Sequence, residues 1–137
     1  MSFWRLHYHL IWATYQREPF LVDNIERQVY GTILNKAKEL NCIVHAIGGI
    51  EDHIHLAVSI PPKLAVAEVI RHLKGASAYY VNHQSQTAAA FKWQGGYGAL
   101  SFGDRSLETI VAYIRNQKEH HRQRTTIAIY ERVEENG

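Results

Sequence analysis

The run from His53 to Ile60 is fenced by Gly48-Gly49 before it and Pro61-Pro62 after it. Its apolar residues recur every second position, the period of a strand. Ile54, Leu56, Val58 and Ile60 therefore share one face, and His53 and His55 share the other. Proline lacks the amide that a sheet needs, so Pro61-Pro62 ends the strand. A second apolar run, Cys42 to Ile47, lies just before it across the two glycines, which read as its stop. Two strands so close in sequence form a hairpin. A hairpin alone cannot bury an apolar face, so the flanking segments must supply more strands and a covering layer.

The flanks do so. Phe3 to Thr14 alternates as a strand, with Leu6, Tyr8, Leu10 and Trp12 on one face and Arg5, His7 and His9 on the other. Asp23, with Glu26 three residues later, reads as the capping box of a helix running to about Leu40. Ile25, Val29, Ile33, Ala37 and Leu40 form its apolar stripe. A second helix is expected from about Leu64 to Asn82, with Val66, Val69, Ile70, Leu73, Ser77 and Tyr80 buried. A polar, alanine-rich loop from Asn82 to Ala90 follows. Lys92 to Phe102 reads as a bent strand, its glycines allowing unusual backbone angles. A last helix spans about Leu107 to Arg122, and the acidic tail from Tyr130 to Gly137 is expected to fray.

The order β-α-β-β-α-β-α predicts an α+β fold. Its first six elements match the split, ferredoxin-like pattern: an antiparallel four-stranded sheet with helices on one face. The C-terminal helix is extra and should bring a functional face to the sheet. The 137 residues fit one domain, 1–137. No stretch approaches the ~20 apolar residues that span a bilayer. A single cysteine, Cys42, excludes an intrachain disulfide and fits a reducing cytoplasm. Fifteen Lys or Arg against thirteen Asp or Glu give a net charge of +2, which permits local basic patches without implying nucleic acid.

Two imidazoles on one strand face can clamp a divalent ion, but a solitary H-x-H among nine histidines is a weak signal. The last helix strengthens it. Tyr113 and Gln117 are four apart and stack on one face, which His120 joins three residues later. His121 falls near the apolar stripe of Leu107, Ile110, Val111 and Ile114. Asn116 and His120 are candidates for orienting or phosphate contacts. Arg71, Lys74, Arg115 and Arg122 could build a basic groove of the kind a polyanion needs, with Trp93 and Tyr97 as its stacking surfaces or, equally, as core aromatics.

Three segments together resemble the single-tyrosine HUH transposases of small bacterial insertion sequences, the IS200-like family that includes the REP-associated tyrosine transposases. They are Tyr8-His9-Leu10-Ile11-Trp12-Ala13-Thr14 with Arg17-Glu18-Pro19-Phe20-Leu21, then Asp52-His53-Ile54-His55-Leu56, then Trp93-Gln94-Gly95-Gly96-Tyr97-Gly98-Ala99 with Tyr113-Ile114-Arg115-Asn116-Gln117 and His120-His121. The resemblance spans nearly the whole chain in order. It implies a ferredoxin-like fold, Tyr113 as nucleophile, His53 and His55 as metal ligands and Gln117 completing the site. It further implies a homodimer acting on single-stranded DNA, at hairpin-bearing element ends, through a 5′-phosphotyrosine.

A phenol with an ordinary pKa near ~10 needs help to lose its proton, and the sequence names no helper. Two imidazoles and an amide add no negative charge, leaving the ion's full charge for a phosphate. Mg²⁺ is the expected ion on availability, with Mn²⁺ able to substitute because imidazoles favour it. Zinc is disfavoured, since no third His or Cys stands at zinc-finger spacing. The alternatives are a domesticated hairpin-binding protein that no longer cuts, or a relaxase or replication-initiator nuclease. The latter are commonly larger.

Overall fold

The computed structural model describes residues 2–84 and 90–134. Strands β1 (His7–Ala13), β2 (Ile43–Ile50), β3 (His53–Ser59) and β4 (Gly98–Phe102) form one antiparallel sheet in the order β2-β3-β1-β4. This is the arrangement a split β-α-β chain produces, and the α+β, ferredoxin-like expectation holds. The helices are α1 (Asp23–Glu39), α2 (Val66–Gln84), α3 (Leu107–Arg115) and α4 (Gln117–Gln123).

Strand alternation divides the molecule into two layers. Leu10, Trp12, Ile54, Leu56 and Val58 enter the main core with Val29, Ile33 and Ala37 of α1 and Val69, Ile70 and Leu73 of α2. Each fully buried Leu or Ile there contributes about 1.5–3 kcal/mol, so this layer anchors the sheet. On the opposite face Ala46 and Ala57 meet Ile110 and Ile114 of α3 in a smaller cluster. Helices α1 and α2 thus cover one face as expected, and the extra C-terminal helices cover the other.

Several local expectations change. Residues 2–6 lie outside β1. Asp23 does not cap α1: it is the first helical residue, Val22 holds the cap position, and no side-chain cap bond forms. The Glu26 carboxylate instead accepts from Tyr30 at 3.3 Å and from Lys118 at 2.7 Å. Val81 rather than Tyr80 completes the buried side of α2, and Tyr80 is exposed. Of the loop expected at Asn82 to Ala90, Asn82 and Gln84 belong to α2, and residues 85–89 lie outside the described residues. Of the bent strand only Gly98–Phe102 joins the sheet, while Trp93 forms an isolated bridge with Thr14.

The glycine pair does not stop β2, which continues to Ile50. A Cβ on Gly48 would lie 2.3 Å from the Ile114 carbonyl oxygen, and one on Gly49 would lie 2.1 Å from that of His53. The glycines admit a helix and a neighbouring strand at backbone contact. The last helix is also not continuous: Asn116 (φ −103°, ψ 23°) interrupts it between α3 and α4.

Of the tail expected to fray, residues 130–134 are described and part of them folds back onto the sheet, and residues 135–137 lie outside the described residues. Ala128–Glu131 forms a 3-10 turn with Tyr130 packed against the smaller cluster, and a Cβ on Gly98 would lie 2.2 Å from the Arg132 carbonyl oxygen.

Candidate functional site

The site lies on the sheet face covered by α3 and α4. In the β1–β3 register Ile11 stands opposite His55, Ala13 opposite His53, and His9 opposite Ala57. Alternation therefore directs His9, His53 and His55 to the same face. All three are buried. The contact of α3 with Gly48, which pairs with His55, holds Tyr113 and Gln117 over the histidines.

One carboxylate ties the cluster together, and it comes from the tail. Glu131 Oε1 lies 3.1 Å from His53 Nε2, 3.2 Å from His55 Nε2 and 3.3 Å from His121 Nε2. Its other oxygen accepts from the Tyr113 hydroxyl and, at 3.2 Å, from the Gln117 amide. The backbone amide of Ile127 donates to the Tyr113 hydroxyl at 3.0 Å. Gln117 Oε1 lies 3.3 Å from His53 Nε2 and 3.0 Å from His121 Nε2. At the other edges of the pair, His53 Nδ1 is 2.8 Å from Asp52 Oδ1, and His55 Nδ1 is 2.9 Å from His9 Nε2.

Burial and charge set the protonation pattern. Burial alone would lower the His53 pKa, but the Asp52 and Glu131 carboxylates hold it at about 9. Burial would raise that of Glu131, yet the hydrogen bonds from His53 and His55 hold it well below the carboxylate range. Burial lowers His55, against the pull of Glu131, and takes His9 down to about 3, helped by His55. Burial and then the bond to Glu131 push the Tyr113 phenol up to about 12.

His53, His55 and Glu131 offer ligand atoms all within 4.8 Å of one another. Two imidazole nitrogens and a carboxylate oxygen fit a divalent ion, manganese included. Glu131 would add a negative charge that the expected set of His53, His55 and Gln117 lacks, and Gln117 Oε1, 3.3 Å from His53 Nε2, stays within reach as a neutral donor.

The sequence-predicted residues fall into two groups. Tyr113, His53, His55 and Gln117 meet within one chain. His120 stacks on the Tyr113 ring, centroids 4.7 Å apart, and its Nδ1 lies 2.9 Å from the Thr125 hydroxyl. With the helix broken at Asn116, His121 rather than His120 approaches the pair, its ring 4.9 Å from that of His53. Asn116 is exposed and its amide bonds the Ala112 carbonyl. Arg115 lines a groove of about 360 Å³ with Gln117 and Lys118, and Arg122 one of about 540 Å³ with Lys118 and His121. The other candidates belong to the α2 side of the sheet. Arg71 pairs with Glu68, and Lys74 donates to the Gln94 and Gly96 carbonyls at 2.9 and 2.8 Å. Trp93 takes the core alternative, buried with its indole donating to Ser77 at 3.0 Å, and Tyr97 packs half-buried against the core.

Sequence reasoning missed Glu131, His9 and the closeness of His121. His9 had a signal, since its alternation with His7 put it on the face of the pair. For Glu131 the only cue was the apolar run Ile127-Ala128-Ile129-Tyr130 just before it.

A family model described as "Transposase IS200 like" matches residues 2–117. The transposase for insertion sequence element IS200 of Salmonella typhimurium is 32% identical over 124 residues, spanning 85% of this chain and 79% of that protein. The ISDra2 transposase TnpA of Deinococcus radiodurans is 27% identical over 119 residues, spanning 83% and 85%. A crystal structure of a candidate transposase from Deinococcus radiodurans superposes with a TM-score of 0.69 at 26% identity, covering 85% of this chain and 93% of that one. A REP-associated tyrosine transposase bound to a REP hairpin superposes with a TM-score of 0.66, covering 88% and 74%. At 15% identity that likeness carries the fold alone.

Proposed function

The chain belongs to the IS200-like transposase family, and on that premise we propose that it cuts and rejoins single-stranded DNA through a covalent bond between Tyr113 and a 5′-phosphate. The observation that carries this reading is the convergence of the Tyr113 hydroxyl and both histidine Nε2 atoms on the single carboxylate of Glu131. Tyr113 and the two histidines are thereby adjacent in one chain, which supports the assignment of the first as nucleophile and the others as ion ligands.

His53, His55 and Glu131 Oε1 would hold a divalent ion, Mg²⁺ or Mn²⁺, with Gln117 Oε1 beside them. When bound, the ion supplies charge neutralisation and orientation of the scissile phosphate. The hydrogen bond to Glu131 Oε2 turns the Tyr113 hydroxyl proton to the Glu131 side and leaves a lone pair of Oη for the phosphate. Tyr113 Oη attacks phosphorus in line and its proton leaves to solvent water, because Glu131, its pKa held well below the carboxylate range, is too weak a base to keep it. The bond to the 3′-oxygen breaks, and that oxygen takes a proton from water. The new ester keeps the energy of the broken bond, so a second 3′-hydroxyl can displace Tyr113 and exchange strands. With Tyr113 4% exposed, the attack requires the part of the turn before Glu131 to yield space to the phosphate while Glu131 stays at the histidines.

Arg115 and Arg122, on the helices that carry Tyr113 and Gln117, are the residues we assign to the DNA backbone, with hairpin-bearing element ends as substrate. We assign residues 1–137 to one domain and the active form to a cytoplasmic homodimer. Among the described residues no helix is long and apolar enough to cross a membrane.

The burial of Tyr113 favours a second reading, a hairpin-binding protein that does not cut. Labelled, hairpin-bearing single strands incubated with Mn²⁺ or Mg²⁺ separate the two. The expected result is a protein–DNA adduct on a denaturing gel that disappears in Tyr113→Phe. Hairpin binding without adduct supports the second reading, and an adduct that survives in Tyr113→Phe removes this residue as nucleophile.

A further inference from the structure

His9 belongs to no role given so far. It is fully buried in β1, its Nε2 lies 2.9 Å from His55 Nδ1, and its own Nδ1 has no hydrogen-bond partner among the described residues. Tyr130 closes over it, ring centroids 5.0 Å apart. So a histidine ring is held against the far side of a candidate ligand, in a place water does not reach.

Two neutral imidazoles meeting nitrogen to nitrogen hold one proton between them, donated by one and accepted by the other. Two arrangements exist. In the first, His9 Nε2–H donates to His55 Nδ1, and His55 Nε2–H donates to Glu131 Oε1 at 3.2 Å. His55 Nε2 then carries a proton and cannot ligate. In the second, His55 Nδ1–H donates to His9 Nε2, which frees the Nε2 lone pair for an ion. His9 must then carry its own proton on Nδ1, the atom without a partner.

We propose that His9 is a positioning residue of the metal centre: it accepts the His55 Nδ1 proton and thereby fixes the ring orientation and tautomer in which His55 Nε2 binds a divalent ion. The inference rests on the reading of His53, His55 and Glu131 as the ligand set. Partners of this kind typically contribute about 10–100-fold to metal affinity.

The test is Mn²⁺ binding to the full chain, followed by the electron paramagnetic resonance of free Mn²⁺. It compares wild type, His53→Ala, His9→Leu and His9→Gln. Leucine fills the space without an acceptor, whereas the glutamine amide oxygen reaches the position of Nε2. Wild type should bind, His9→Leu should bind about 10–100-fold more weakly, and His9→Gln should recover most of the loss. Equal binding by wild type and a folded His9→Leu overturns the role of His9 alone. No binding by wild type, or undiminished binding by His53→Ala, overturns the ligand set and the inference with it. Should His9→Leu fail to fold, proton–nitrogen spectra of wild type loaded with diamagnetic Zn²⁺ decide. Protons on His55 Nδ1 and His9 Nδ1 are expected, and a proton on His55 Nε2 in the loaded protein overturns the proposal.

Discussion

Two clusters of histidines share one face of this sheet, at opposite ends of β1 and β3. At the far end, Ser59 Oγ sits between His7 Nδ1 and His45 Nε2, 2.7 Å from each, and His7 Nε2 contacts Asp104 Oδ1 at 2.5 Å. A hydroxyl can donate to one ring and accept from the other, and Asp104, 58% exposed, keeps its water. That network is closed. At the near end, His53, His55 and His121 nitrogens, the Gln117 amide and the Tyr113 hydroxyl all turn to one half-buried carboxylate. Imidazole next to carboxylate is common to both ends and distinguishes nothing. What differs is convergence: nitrogen atoms aimed at one point can hold an ion, and nitrogen atoms spent in pairs cannot.

The contrast can be broken in order of effect. His53→Ala should weaken Mn²⁺ binding more than about 100-fold, beyond what an orienting partner contributes, while His7→Ala should leave binding unchanged. Calorimetric titration of both measures this, and comparable losses would erase the distinction. Glu131→Gln should lower affinity by roughly 10-fold, as a neutral amide replaces a charged ligand. It should also lower the Tyr113 phenol from about 12, seen as an earlier rise in phenolate absorbance on raising pH. An unchanged absorbance titration would show that Glu131 does not hold that proton.

Ser59→Ala should sharpen the contrast from the other side. It leaves two imidazoles short of a partner and should cost about 1–3 kcal/mol of stability in urea unfolding, with metal affinity intact. The smallest effect concerns pH. Burial and then His7 lower the His45 pKa. A histidine depressed in the folded state takes its proton first in the unfolded chain, so stability falls as pH drops below the ordinary value near ~6.5. His45→Gln should flatten the fall in melting temperature between pH 7 and 5, and an unaltered slope would discount His45 as its source.

Element order and the shared face of His53 and His55 were legible because both follow from local periodicity. The rest depends on contacts that local rules do not see. Gly48-Gly49 reads as a strand stop, yet those glycines admit the Ile114 carbonyl and the neighbouring strand. Asp23 and Glu26 spell a capping box, but Glu26 serves Lys118, far along the chain. Asn116 carries no breaker signature, so the turn that brings in His121 instead of His120 was hidden. Glu131 reads as solvated tail until the Ile127 amide bonds the Tyr113 hydroxyl and Tyr130 packs on the smaller cluster, which draws it to histidines 76 or more residues away.

The contact at Gly48 has one more consequence. Helix α3 rests on β2 main chain to main chain, so the height of Tyr113 above the histidines is set by the thickness of two backbones. Side-chain volumes elsewhere on α3 can drift and repack without changing that height. A single methyl group at residue 48 would act as a shim, lifting Tyr113 away from the histidines while leaving every side chain of the cluster in the sequence.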